Sequence, residues 1–194
     1  MPRHRDERID EAVLTAVSAL VRETGYAALT MEAIATRAGT TKPAIRRRWK
    51  SRQRLVVAAM ARDRVGVTEI DTGCLGCDIA GHLEALRLGL DDPAMRRVLP
   101  ALLADLADDP ELRQEFLDAV WAPRRQACIA VLRKAEQRGD VHVDDVDLVI
   151  DLFAGPILLR ALFRHAPSGP DFSERVTRAV LTGVGGTTAH VCAQ

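Results

Sequence analysis

The segment Gly39-Thr40-Thr41-Lys42-Pro43-Ala44-Ile45-Arg46-Arg47-Arg48-Trp49-Lys50-Ser51-Arg52 opens on two hydroxyls, sets a proline at a helix start and carries six cations. Pro43 fits a first turn, whose N–H has no helical partner in any case, so it begins a helix and does not break one. Ile45 and Trp49, four residues apart, share the face that can pack inward. Lys42, Pro43, Arg46 and Arg47 project to the other side. Cations crowded on so short a helix repel one another unless they meet a polyanion, so phosphates are the expected partner. The plainer alternative is a solvated basic face.

What precedes the segment favours the first reading. Ile9, Val13, Ala16, Val17, Leu20 and Val21 recur at helical spacing, predicting a helix over about 6–23 that Gly25 stops. Thr30 is placed to cap a second helix with Met31, Ile34, Ala35 and Ala38 inward, and Gly39 to end it in a left-handed conformation. Thr40 or Thr41 then caps the third helix after a tight turn, the spacing of a helix-turn-helix. A fourth helix from near Ser51 to about Arg64 links this module to the rest.

Net charge is zero, which by itself argues against nucleic acid, yet the charge is unevenly spread. Residues 1–55 hold 12 Lys/Arg against 6 Asp/Glu, and the remainder 15 against 21. A basic head is thus joined to an acidic body that DNA would repel. The expected division is 1–50 for the DNA-binding head, 51–66 for a linking helix and 67–194 for a helical body. Leu, Ala, Val and Arg dominate, and only 4% of residues are aromatic, which favours an all-α chain of about nine helices. No apolar run reaches the ~18 residues of a membrane span and no signal-peptide core follows Met1, so a cytoplasmic location with no membrane partner is expected.

In the body, Asp91-Asp92-Pro93 and Asp108-Asp109-Pro110 each open a helix with an acidic cap and a first-turn proline. Arg138-Gly139-Asp140 closes the long helix expected from about Pro110. A largely apolar stretch from Val146 to Phe163 follows, then a periodic one with Phe172, Val176, Ala179, Val180 and Gly183. Both are expected to be too apolar to face solvent on any side, which calls for a partner surface.

The run Leu29-Thr30-Met31-Glu32-Ala33-Ile34-Ala35, continued by Ala38 to Ile45 and Arg46 to Arg52, resembles the motif of the TetR family of bacterial transcriptional regulators. Asp71-Thr72-Gly73 and Gly155-Pro156-Ile157-Leu158-Leu159-Arg160 are similar to an actinobacterial subgroup of it. The resemblance implies an all-helical homodimer with heads in successive major grooves of an operator and a body that encloses a small, largely apolar effector. Most simply, such a chain is a repressor released by that effector. Two departures stand out: Arg46 and Arg48 replace the usual tyrosine and histidine, and Arg52 replaces a lysine. Guanidinium suits phosphate oxygens equally well, but no base preference carries over.

The residues expected at DNA are Thr30, Thr40, Thr41, Lys50 and Arg52 on phosphates and Lys42, Arg46 and Arg47 on base edges, with Arg48 turned partly toward the head. Phe116, Trp121, Phe153, Arg160 and Phe163 are candidates for the effector pocket, with an ordinary core as the alternative. Arg160, in an apolar run with Asp147 and Asp151, either pairs between helices or recognises an acidic effector. Phe153, Leu159, Val176 and Val180 are expected at the dimer interface. Cys74-Leu75-Gly76-Cys77 has redox or zinc spacing, but His82 is the only nearby further ligand, so coincidental thiols are expected. Cys128 and Cys192 complete the thiols. Phosphate loops, nucleophile elbows and paired-His metal motifs are missing, so neither an enzyme nor a cofactor is expected. A ligand-independent or architectural DNA binder, or a thiol sensor through Cys74 and Cys77, are the alternatives.

Overall fold

The computed structural model describes residues 7–64 and 70–184. Among these the chain is all-α: α1 (Glu7–Thr24), α2 (Met31–Arg37), α3 (Lys42–Arg46), α4 (Arg52–Arg62), α5 (Leu75–Asp91), α6 (Pro93–Asp108), α7 (Pro110–Phe116), α8 (Ala122–Arg138), α9 (Val146–Phe163) and α10 (Phe172–Gly183). A π-helical turn, Leu117–Trp121, joins α7 to α8 without a break in the helix, so the ten segments make nine rods. The expected helix from Pro110 therefore exists, but with a wide turn inside it. Pro123 explains the widening, because its ring clashes with the carbonyl four residues back and has no N–H to offer it. Cys192 lies outside the described residues.

The described residues form two compact units, 7–64 with 93–120 and 70–92 with 121–184. In the first, α1 buries Val13, Ala16, Val17, Leu20 and Val21, the stripe its periodicity predicted. It packs against α2, α4 and α6, while α7 packs against α4. Leu29, Ile34, Ile45 and Leu55 complete a core in which each is almost wholly buried. The division expected from sequence placed α6 and α7 with the body, whereas here they pack with the head. Tyr26 of the α1–α2 connection donates its hydroxyl to the Asp105 carboxylate on α6. Arg54 of α4 is held by three carboxylates around α7: Nη1 to Asp109 at 3.1 Å, Nη2 to Glu111 at 3.1 Å and Nε to Glu115 at 2.8 Å. One guanidinium fork serving three acceptors suits arginine and not lysine.

In the second unit α5 is the central rod, packed against α8, α9 and α10. Ile79, Leu83, Leu132, Phe153, Ile157, Phe172, Val176 and Leu181 fill the space among them. Asp109 caps α7 as the sequence predicted, its Oδ1 accepting from Leu112 N at 2.9 Å, and Asp145 caps α9 in the same way, accepting from Leu148 N at 3.0 Å. Gly139 ends α8 at φ +79°, a conformation that costs other residues energy. The expectation that both last helices are apolar all round fails: α9 is largely apolar but exposes Asp147 and Asp151. α10 is two-faced, with Phe172, Val176 and Leu181 turned inward and Glu174, Arg175 and Arg178 exposed.

Candidate nucleic-acid interface and ligand cavity

Two side-chain caps and one glycine fix the α2–α3 pair. Thr30 precedes α2 with extended backbone, and its Oγ1 accepts from Ala33 N at 3.1 Å. The chain leaves α2 through Gly39 at φ +62°, and the Thr40 N–H returns to the Ala35 carbonyl at 3.0 Å, which satisfies a terminal acceptor. Thr41 then caps α3, its Oγ1 accepting from Ala44 N at 3.3 Å, with Pro43 in the first turn. Ser51 does the same for α4 through Arg54 N at 3.3 Å. Ile45, fully buried, pins α3 to the core.

With Ile45 inward, Arg46 and Arg47 project into solvent, and neither side chain forms an ion pair or hydrogen bond among the described residues. Lys42 contacts the Glu32 carboxylate, an exposed pair of small worth that a phosphate could displace. Lys50 lies 3.7 Å from Glu111 with both side chains open to water. Arg48 turns back to the head, its Nε 2.9 Å from Asp10 Oδ1 at the start of α1. Arg52 differs most from expectation. Its Nη1 donates to the carbonyls of Leu29 at 2.8 Å, Ala27 at 3.0 Å and Tyr26 at 3.4 Å, and the guanidinium lies over the Tyr26 ring at 5.5 Å. The Nη1 donors are thus turned toward the protein. Lys42, Arg46 and Arg47 remain on one exposed face, with Thr30, Thr40 and Thr41 at the helix starts beside it.

Within the second unit, α5, α8 and α9 enclose a cavity of about 40 Å³, room for roughly three waters. Leu83, Leu86, Ile150, Phe153 and Ala154 supply apolar wall, while His82, Trp121, Arg124, Arg125 and Cys128 supply the polar groups. Burial holds the His82 imidazole below its ordinary value, against a smaller opposite pull from Asp78, so it is neutral at pH 7. Its Nε2 is buried and makes no hydrogen bond among the described residues. Burial also pulls the Arg124 guanidinium down to about 10 and pushes the Cys128 thiol up to about 11. Arg125 contacts the Asp147 carboxylate.

Of the expected effector residues, Trp121 and Phe153 line this cavity and the others do not. Phe116 belongs to the first unit and Phe163 is 71% exposed. Arg160 pairs with neither Asp147 nor Asp151. It donates to the Pro167 carbonyl and stacks 3.6 Å from the centre of the Phe172 ring. Sequence reasoning missed His82, Arg124 and Cys128 as a group, since only the packing of α5 on α8 brings them together. Of the expected interface residues, Phe153 and Val176 are 1% and 6% exposed and serve the protomer's own core, whereas Leu159 is 50% exposed and Val180 half-buried. Leu159 extends into a stripe along α9 with Leu148, Leu152 and Phe163, exposed by 54%, 46% and 71%. Cys74 caps α5, its Sγ accepting from Cys77 N at 3.3 Å, and neither thiol is in a disulfide. No group of metal-ligating side chains is found among the described residues.

The geometry agrees with what this chain is similar to. The family model described as bacterial regulatory proteins, tetR family, matches residues 13–59, and that of the tetracyclin repressor-like C-terminal domain matches 69–180. The HTH-type transcriptional regulator YdeS of Bacillus subtilis is 29% identical over 191 residues, covering 96% of this chain and 95% of that one. The HTH-type transcriptional regulator Rv1556 of Mycobacterium tuberculosis is 30% identical over 170 residues, covering 84% and 80% respectively. Among solved structures, the TetR family transcription regulator SCO0332 superposes with a TM-score of 0.76 at 26% identity, over 91% of this chain and 98% of that one.

Proposed function

The chain belongs to the TetR family of bacterial regulatory proteins, and from that premise we propose that it is a repressor that binds a near-palindromic operator as a homodimer. The observation that carries this reading is α3. Its turn is locked by Gly39 and Thr41, its inner face by Ile45, and its outer face offers Arg46 and Arg47 to solvent. Arginine forks read the guanine edge in the major groove, while Thr30, Thr40, Thr41 and Lys50 suit the phosphates on either side. A dimer would present two such helices about one DNA turn apart, ~34–36 Å or slightly more. The apolar stripe Leu148–Leu152–Leu159–Phe163 on α9 supports dimerisation, since four large exposed side chains on one helix face favour burial against a second copy.

Release by a small molecule in the body completes the reading. A ligand that weakens DNA binding tenfold contributes ~1.4 kcal/mol of coupling, and DNA must weaken that ligand's binding by the same factor. The cavity's size favours a second reading, a ligand-independent regulator, because about 40 Å³ admits no drug-sized molecule without widening. Operator retention titrated with compounds that raise the melting temperature separates the two. If no stabilising compound alters DNA affinity, the ligand-independent reading replaces the inducible one.

A further inference from the structure

We propose that Cys74 and Cys77, one turn apart at the start of α5, are a dithiol that small-molecule disulfides convert reversibly into an intrachain Cys74–Cys77 disulfide. The inference goes beyond the DNA-binding reading and does not rest on it. Cys74 is the N-cap of the 17-residue α5, and its Sγ accepts from Cys77 N at 3.3 Å. The two thiols also hydrogen-bond to each other. Leu75 and Gly76 between them are buried, whereas both cysteines are half-buried and within reach of a small reagent. As a cap residue Cys74 has extended backbone and is not confined to helical angles, so its sulfur can close on Cys77 without unwinding α5.

The segment leading into α5 holds the pair in place. Thr72 donates to Asp78 Oδ1 from its N at 2.8 Å and from its Oγ1 at 2.6 Å, and Cys74 N donates to Thr72 Oγ1 at 3.3 Å. Asp71 pairs with Lys134 of α8, and Ile70 lies against Gly81 in the space that a Cβ there would take. Two thiols fixed in this way have a high effective concentration toward each other. Burial and the hydrogen bond with Cys77 raise the Cys74 thiol, against a smaller opposite pull from the Cys77 N–H. Cys74 is therefore not stabilised as a thiolate, the feature that makes a dithiol strongly oxidising, and the equilibrium favours the disulfide. Cys128, in the cavity wall, is set apart, since burial pushes its thiol up to about 11. The exchange balances in two steps. One cysteine thiolate attacks a sulfur of the small disulfide and releases one small thiol, and the other cysteine attacks the mixed disulfide and releases the second. The two cysteines give up two electrons and two protons, and one small disulfide becomes two small thiols.

The test uses the full chain with glutathione as the probe. After equilibration at pH 7.5 in mixed oxidised and reduced glutathione, then acid quench and alkylation, trypsin releases residues 65–87 with both Cys74 and Cys77, while Cys128 and Cys192 fall on other peptides. Peptide 65–87 is expected to escape alkylation and to be lighter by two hydrogens, and to regain two alkylated thiols when dithiothreitol precedes the quench. The equilibrium constant for closure should be at least about tenfold larger in the folded chain than in concentrated urea, because the cap sets the effective concentration of the pair. Cys74→Ser and Cys77→Ser should each accumulate a glutathione adduct on the remaining cysteine, an adduct that the unaltered chain resolves. A peptide 65–87 that stays fully alkylated, a lasting glutathione adduct on it in the unaltered chain, a bridge from either cysteine to Cys128 or Cys192, or equal closure in urea overturns the proposal.

Discussion

Arg52 Nη1 donates to the carbonyl oxygen of Leu29 at 2.8 Å, tying the start of α4 to the connection between α1 and α2. With the Ala27 and Tyr26 carbonyls it satisfies acceptors that the non-helical connection leaves over. Arg52→Ala is expected to cost about 1–3 kcal/mol of stability through those orphaned acceptors, read by urea unfolding. The slope of operator affinity against salt should hardly change. Unchanged stability with a slope lowered by about one would instead assign Arg52 to a phosphate.

Arg46 and Arg47 point the opposite way and predict the opposite pattern. Arg46→Ala and Arg47→Ala should each alter stability by no more than about 0.5 kcal/mol, both side chains being exposed and outside any hydrogen bond or close ion pair among the described residues. Each should cost about 1–3 kcal/mol of operator binding and relax preference at defined base pairs. Competition with single-base operator variants checks this, and a uniform loss across sequences would count against base contact.

Two apolar residues of the body separate folding from assembly. Leu159→Asp, on the exposed stripe of α9, should yield a folded chain that sediments as a monomer. Val176→Asp, at 6% exposure, should unfold the body, because an unpaired carboxylate cannot be buried without a cost of several kcal/mol. Sedimentation velocity and circular dichroism together distinguish the outcomes. A dimeric Leu159→Asp variant would place the interface elsewhere.

His82 gives the body a pH dependence of known sign. Its folded-state value lies below the ordinary one near 6.5, so the unfolded chain binds the proton more readily. Stability should therefore fall as pH drops below about 6.5. The carboxylates whose values are lowered, such as Glu84 beside Arg87 and Asp109 capping α7, act in a separate window below about 4.5. Melting temperatures from pH 8 to 5 should decline, and His82→Gln should flatten the decline. An unchanged slope in that variant would assign the effect to other groups.

Much of this architecture is legible in the sequence because local chemistry sets it. Thr30, Thr41, Asp109, Gly39 and Gly139 are cap and turn residues whose task follows from their immediate neighbours. α9 spans Val146–Phe163 as its run of apolar residues predicted. What escaped depends on contacts distant in sequence. Arg52 resembles any other cation of its segment until the carbonyls of residues 26–29 are seen around it. α6 and α7 join the head through Asp105, Asp109, Glu111 and Glu115, acids that the charge count assigned to a body repelled by DNA. The cavity needs α5 against α8, and one signal for it was available. Pro123 followed by Arg124, Arg125 and Cys128 places a helix distortion and two cations beside an apolar face.

Sequence-specific operator binding is measured by affinity for a duplex selected from a random pool, compared with a scrambled duplex of equal length at ~150 mM salt. Two chains per near-palindromic duplex, at least ~10³-fold tighter binding to the selected sequence, and loss of that ratio in Arg46→Ala and Arg47→Ala are expected. Equal affinity for both duplexes, or a selected site indifferent to both substitutions, would contradict it.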